Sequence, residues 1–231
     1  MTDTTRPRRR FRKLKIFGVT LIALLLVGGF FLKRFMYAHE DPESLPELLK
    51  VGNPAPAFTA VDTRGTSHSL AGHAGKWVVL EWFNHGCPYT KKHYALVNGV
   101  GNSQAMQKDY TKRGVIWLSV VSSGKGRQGY HSSAEKANDV AADKGAAPTA
   151  IIRDTAGVLG RLYGARNTPQ YAIIDPTGVL RYAGAIDDTQ TSGAKDIAGA
   201  TNYVRAALDS GLAGRPIAVA QTQPYGCEVK Y

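Results

Sequence analysis

Apolar and polar positions along the chain alternate between two periods, and the places where the period changes mark the elements. Lys76–Phe83 is almost continuously apolar, the pattern of a central strand buried on both faces. It stops at Asn84-His85-Gly86, and Cys87-Pro88 follows. Proline is favoured at the first position of a helix, so the pattern predicts a helix from Pro88 to Tyr94 with Cys87 as its N-cap. A second helix is predicted from Ser103 to Arg113, then a strand from Val115 to Val121. Ser132 with Glu135 three residues on reads as a capping box, opening a helix that ends near Gly145. A strand at Ala150–Arg153, a short helix at Val158–Tyr163 and a strand at Tyr171–Ile174 come next. Asp175-Pro176-Thr177-Gly178 is turn chemistry leading into a hairpin partner at Val179–Ala183. The last predicted helix covers Ile197–Leu212. Strands alternating with helices, closed by a hairpin, imply an α/β domain with a central mixed sheet flanked by helices on both faces.

One apolar segment does not belong to that domain. Ile16–Leu32 is a run of 17 uncharged residues rich in Leu, Val, Ile and Phe, about 25 Å long as a helix and at the short end of what crosses a bilayer. The chain carries a formal net charge of +11, and residues 1–34 hold nine of its basic residues against Asp3 alone. The rest is nearly balanced, which argues against a nucleic-acid partner. A basic segment before an apolar run keeps its own end in the cytoplasm. The expected layout is a cytoplasmic segment at 1–15, a transmembrane signal anchor at 16–34, a tether at 35–50 and a folded domain at 51–231. The anchor would place the domain on the outer side of the inner membrane, facing the periplasm or the cell exterior. A cleavable signal peptide would have a shorter apolar core and a small-residue cleavage site, and Met36-Tyr37-Ala38 is a poor one.

Only two cysteines occur, Cys87 and Cys227, both beyond the anchor in what is then an oxidising compartment. A cysteine at a helix N-terminus faces unpaired N–H groups and the positive end of the helix dipole, which favour the nucleophilic thiolate. His85, Lys91, Lys92 and His93 lie close by in sequence and are expected to add positive charge.

The motifs Val51–Phe58, Trp82–Tyr89, Tyr163-Gly164-Ala165 leading to Thr168-Pro169, Asp175–Gly178 and the tail Tyr225–Tyr231 together resemble the thioredoxin superfamily. The likeness is strongest to its redoxin or peroxiredoxin-like branch, the alkyl hydroperoxide reductase and thiol-specific antioxidant type, and covers about 51–231. It implies a thioredoxin-like fold and a thiol-dependent oxidoreductase acting at Cys87, with peroxidase-like antioxidant activity, a hydroperoxide or a protein thiol or disulfide as substrate, a thiol electron donor and no cofactor or metal. It also implies that Glu81, six residues before Cys87, is a buried carboxylate able to relay protons; the competing expectation is a strand-edge position or a pairing with Lys. Pro169 matches the family's cis-proline beside the active cysteine.

Three departures from the family matter. Thr90 stands where a dithiol centre has its second cysteine, so local disulfide cycling is excluded. Asn84 stands where peroxiredoxins have a hydroxyl residue. The arginine that accompanies a peroxidatic thiolate has Arg153, Arg161 and Arg166 as candidates. Cys227 is expected either to resolve a sulfenic acid on Cys87 as a disulfide or to staple the tail to the domain. Either role needs an intramolecular Cys87–Cys227 bond, worth about 4–5 kcal/mol at most in the chain-entropy model. Two other classes remain open: a non-catalytic binding module, and a copper carrier using His85, Cys87 and His93.

Overall fold

The computed structural model describes residues 49–231. The predicted cytoplasmic segment, the anchor and nearly all of the tether lie outside the described residues; among the described ones no helix is long and apolar enough to cross a membrane. The folded part begins with an antiparallel hairpin of β1 (Thr59–Val61) and β2 (Ser67–Ser69). β3 (Val78–Trp82) follows, with all five residues buried, as its apolar run predicts. α1 (Pro88–Tyr94) has Cys87 at its N-cap and proline in its first turn. A short hairpin, β4 (Leu96–Val97) and β5 (Val100–Gly101), leads into α2 (Asn102–Lys112) and β6 (Ile116–Val121). Then come α3 (Ala134–Asp143), β7 (Ala150–Arg153), α4 (Val158–Leu162), β8 (Asn167–Thr168), β9 (Gln170–Ile174), β10 (Leu180–Gly184), α5 (Tyr203–Leu212) and β11 (Cys227–Glu228).

The central sheet has the order β10-β9-β3-β6-β7. β3, β6 and β7 are parallel, while β9 and β10 run antiparallel to their neighbours. Successive side chains of a strand point to opposite faces, and β3 feeds two cores accordingly. Leu80 and Trp82 pack with Val120, Ile152, Leu159 and Tyr163. Val79 packs with Met106, Tyr110, Trp117, Tyr171 and Leu208. Each fully buried Leu or Ile contributes about 1.5–3 kcal/mol. This is a thioredoxin-like α/β fold, and it sets the C-terminal end of β3, where α1 begins, beside the loop that joins β8 to β9.

Local chemistry moved several predicted boundaries. The helix starting near 132 is capped one residue later, by Ser133, whose hydroxyl accepts the Lys136 N–H at 3.1 Å. The predicted helix Ile197–Leu212 is a 3-10 turn at Ala194–Gly199 and then α5, separated because Asn202 caps the latter by accepting the Arg205 N–H. The hairpins β1–β2 and β4–β5 and the two-residue strands β8 and β11 carry too few residues to show a period.

Candidate active site

A tight turn delivers Cys87 from the end of β3 to the start of α1. The Asn84 side-chain oxygen accepts the Gly86 N–H at 2.9 Å, and the Cys87 N–H donates to the Asn84 carbonyl at 3.0 Å. The Asn84 amide points to Gln128, 3.4 Å from both its carbonyl and its side-chain oxygen. Asn84 therefore shapes the turn, which accounts for an amide at this position. Cys87 is 0% exposed, and its Sγ–H donates to the Thr168 carbonyl at 3.1 Å. That carbonyl belongs to the cis Thr168-Pro169 bond, so Pro169 lies where the family resemblance put it.

Cys227 reaches the same place by strand pairing. β11 pairs antiparallel with β8, setting Cys227 opposite Thr168 and Glu228 opposite Asn167. The Thr168 hydroxyl donates to the Cys227 carbonyl at 3.3 Å, and the Asn167 amide to the Gly226 carbonyl at 3.0 Å. Gly226 has φ +110°, and a Cβ there would sit 2.2 Å from the Thr168 carbonyl oxygen; only glycine brings the tail this close. The rest of the tail is fastened too. Val229 N–H donates to Arg166 O at 2.8 Å, Gly124 N–H to Lys230 O at 2.7 Å, and the Tyr231 hydroxyl to Ala165 O at 2.8 Å. The Arg161 guanidinium lies 4.4 Å from the centre of the Tyr231 ring.

The two sulfurs sit in opposite electrostatic settings. Burial pushes the Cys87 thiol up. Hydrogen bonds from the Cys227 thiol, from the N–H groups of Thr90 and Cys227, and from the Thr168 hydroxyl outweigh it, and the net direction is down. Cys227 is pushed up to about 12, by burial first and then by its hydrogen bond to Cys87 and the charge there. Cys87 is thus the more readily ionised thiol of the pair, and Cys227 the one that keeps its proton. Both are free thiols in this structure.

The thiolate is favoured, but by other groups than the expected cations. Lys92 is buried and ion-paired with Asp187 at 3.2 Å. His93 is held to about 4 by burial, Asp187 opposing and Lys92 adding to the shift. His85 packs against a tilted His131 ring, centres 4.7 Å apart, and its pKa is lowered by burial and then by Lys144, Lys91 and Lys136. His85 and His93 thus have partners of their own, and no group of three or more His, Cys, Asp or Glu suited to a metal ion occurs among the described residues.

Glu81 is 0% exposed and satisfies neither expectation of an edge position nor of a Lys partner. Its carboxylate accepts five hydrogen bonds: Tyr94 Oη at 2.9 Å, Tyr171 Oη at 3.0 Å, Gln107 Nε2 at 2.9 Å, Trp117 Nε1 at 2.7 Å and Ser119 Oγ at 2.9 Å. It joins α1, α2, β6 and β9 on one face of the sheet, whereas Cys87, Cys227 and Pro169 gather at the β8 edge. Among the arginines, Arg153 donates to His131 O and Arg161 to the carbonyls of Ala156 and Gly157. Thr90 is buried, and its hydroxyl has no hydrogen-bond partner among the described residues. Two contributors were not singled out as site residues from sequence. The Thr168 carbonyl was visible only as the residue before a proline, and nothing in the pattern marked Asp187.

A family model described as the AhpC/TSA family matches residues 51–183, more than half of the chain. No curated protein sequence matches it. Among solved structures, an uncharacterized conserved protein from Geobacillus kaustophilus is similar over 81% of this chain and 97% of its own, with TM-score 0.64 and 24% identity. A hypothetical protein from Sinorhizobium meliloti is similar over 79% of this chain and 94% of its own, with TM-score 0.61 and 21% identity. The thioredoxin domain of a thiol-disulfide oxidoreductase from Bacteroides vulgatus aligns over 65% of this chain and 97% of its own, with TM-score 0.45 and 17% identity.

Proposed function

The chain belongs to the AhpC/TSA family, and from that premise we propose that it is a thiol-dependent peroxidase in which Cys87 is oxidised and Cys227 resolves it. What supports this reading is the meeting of both cysteines at Thr168, whose carbonyl lies 3.1 Å from the Cys87 sulfur and which is the partner of Cys227 in the β8–β11 ladder. The Cys87 thiolate attacks a hydroperoxide oxygen: an S–O bond forms, the O–O bond breaks, and the alkoxide leaves as the alcohol after taking a proton. Cys227, the thiol beside it, then attacks the sulfenic sulfur, and the hydroxyl departs as water as the disulfide closes. A dithiol donor returns both cysteines to thiols and is itself oxidised to a disulfide. A fully buried Cys87 suits a small oxidant better than a protein. Hydroperoxide consumption with a dithiol donor tests the reading. Wild type should turn over, Cys87→Ser should not, and Cys227→Ala should accumulate a trapped sulfenic acid. No consumption by folded wild type would overturn it.

A second reading has its own support. β11 already lays a cysteine-bearing extended segment against Thr168, the residue before cis-Pro169, the arrangement needed for exchange with a protein disulfide. Rapid reduction of a protein disulfide by protein that is inert to hydroperoxide would favour it. We also propose that residues 16–34 anchor the domain outside the inner membrane, on the strength of the apolar run and the charge before it. Deleting residues 1–34 should move the protein from the membrane to the soluble fraction.

A further inference from the structure

Lys92 and His93, on the helix that carries Cys87, have fully buried side chains, and the redox steps above use neither. Both turn to the C-terminal tail. Lys92 Nζ donates to Asp187 Oδ2 at 3.2 Å and to the Thr189 carbonyl at 2.6 Å, and lies 3.5 Å from Tyr225 Oη. His93 Nε2 is 3.3 Å from Tyr225 Oη, while its Nδ1 is 3.0 Å from the Asn102 amide nitrogen. The Tyr225 hydroxyl donates to Asp187 Oδ1, which also accepts the Thr189 N–H at 3.1 Å. The Tyr225 ring meets Tyr89 edge-on, with centres 5.8 Å apart. Three stretches of chain, α1, the loop after β10 and the tail, thus converge on one hydroxyl.

The spacing explains what the convergence does. Tyr225 is two residues before Cys227 and, extended, two residues span about 7 Å. Cys87 is five residues before Lys92, which along a helix is about 7.5 Å. A tail clasped at Lys92 and His93 therefore returns Cys227 to the level of Cys87. A buried ion pair of this kind is weak evidence for stability and is better suited to fixing one arrangement among several.

We infer that Tyr225 is a positioning residue whose hydroxyl, clasped by Asp187, Lys92 and His93, holds Cys227 against Cys87. The inference rests on reading those two cysteines as the working pair. Without the hydroxyl the segment before Cys227 loses its hold on α1, while the β8–β11 pairing remains, and the Cys227 donors sit less closely on the Cys87 sulfur.

Tyr225→Phe keeps the ring and its contact with Tyr89, so the hydroxyl is tested alone. Diamide serves as oxidant, which makes the result independent of whether hydroperoxide is the substrate. Closure of the Cys87–Cys227 disulfide should slow by about tenfold or more, the lower end of the factor implied by loss of one hydrogen bond to a charged group. The pH midpoint of Cys87 alkylation should rise toward that of Cys227→Ala. The double variant Cys227→Ala/Tyr225→Phe should match Cys227→Ala, because Tyr225 acts only through Cys227. Asp187→Asn, if folded, should move closure and midpoint in the same directions, and it serves as the test should Tyr225→Phe not fold. Wild-type closure and midpoint in both variants would overturn the inference, as would a further shift in the double variant, which would place the effect on α1 directly. Absence of any disulfide in diamide-treated wild type would overturn the inference and the pairing it rests on together.

Discussion

The Cys87 and Cys227 side chains lie close enough to shift each other's pKa in opposite directions, although 140 residues separate them in the sequence. One residue mediates this approach. Thr168 pairs with Cys227 in the β8–β11 ladder and offers its carbonyl to Cys87 at 3.1 Å. The arrangement makes the lowered pKa of Cys87 a property of the tail as much as of the Thr90 N–H at the start of α1.

Removing the Cys227 donor should therefore raise the pH midpoint of Cys87 alkylation. The Cys227→Ala variant loses the thiol donor, while burial of Cys87, which opposes the thiolate, is largely kept. Iodoacetamide rates measured across pH 5–10 check this, and an unchanged midpoint would assign the shift to the N–H groups of Thr90 and residue 227 and to the Thr168 hydroxyl. Gly226→Ala should act in the same direction, because its Cβ has no room beside the Thr168 carbonyl and the tail must lift.

How much of this was legible in the sequence depended on how local the determinant was. The end of β3 followed by Cys-Pro placed Cys87 at a helix N-cap, and that is where it is. Thr168-Pro169 marked the facing loop. The proximity of Cys227 was readable only as one possibility, because two-residue strands such as β8 and β11 have no period. The cations near Cys87 in sequence were a misleading cue. Nothing near Lys92 announced that Asp187, 95 residues away, claims its charge. Glu81 was visible as a carboxylate in an apolar strand, but its five donors come from four separate elements and leave no common pattern.

That donor shell makes Glu81 a fastening point between α1, α2, β6 and β9. Glu81→Gln replaces one acceptor oxygen by a donor and leaves buried N–H or O–H groups unpaired, at a cost of about 3 kcal/mol or more. Urea unfolding measures the loss. The pH profile of Cys87 alkylation in the folded variant should match wild type; a shifted profile would instead support proton relay by Glu81.

Two buried histidines set an acid limit. His93 and His131 are each lowered from 6.5 to about 4, in both cases chiefly by burial. In the unfolded chain they take up protons near 6.5, so the unfolded state binds more protons between pH 6.5 and 4. The stability they confer is complete above pH 6.5 and is lost as pH falls toward 4. At about 1.4 kcal/mol per unit, the pair withdraws several kcal/mol across that window. The urea midpoint should fall steeply from pH 7 to pH 4.5, and less steeply in His131→Gln. Asp62, lowered to about 2 despite its burial by hydrogen bonds from Thr66, Arg64 and His68, contributes only below this range, between pH 3.8 and 2.

The most direct test of the Cys87–Cys227 pair is stoichiometric. Reduced protein is treated with one equivalent of hydrogen peroxide, quenched with an alkylating agent, and mapped by mass spectrometry without reduction. The expected product is a monomer lighter by two hydrogens, with the Cys87 and Cys227 peptides joined and no site alkylated. Two alkylated cysteines, or Cys87 carried on to sulfinic acid beside a free Cys227, would contradict it.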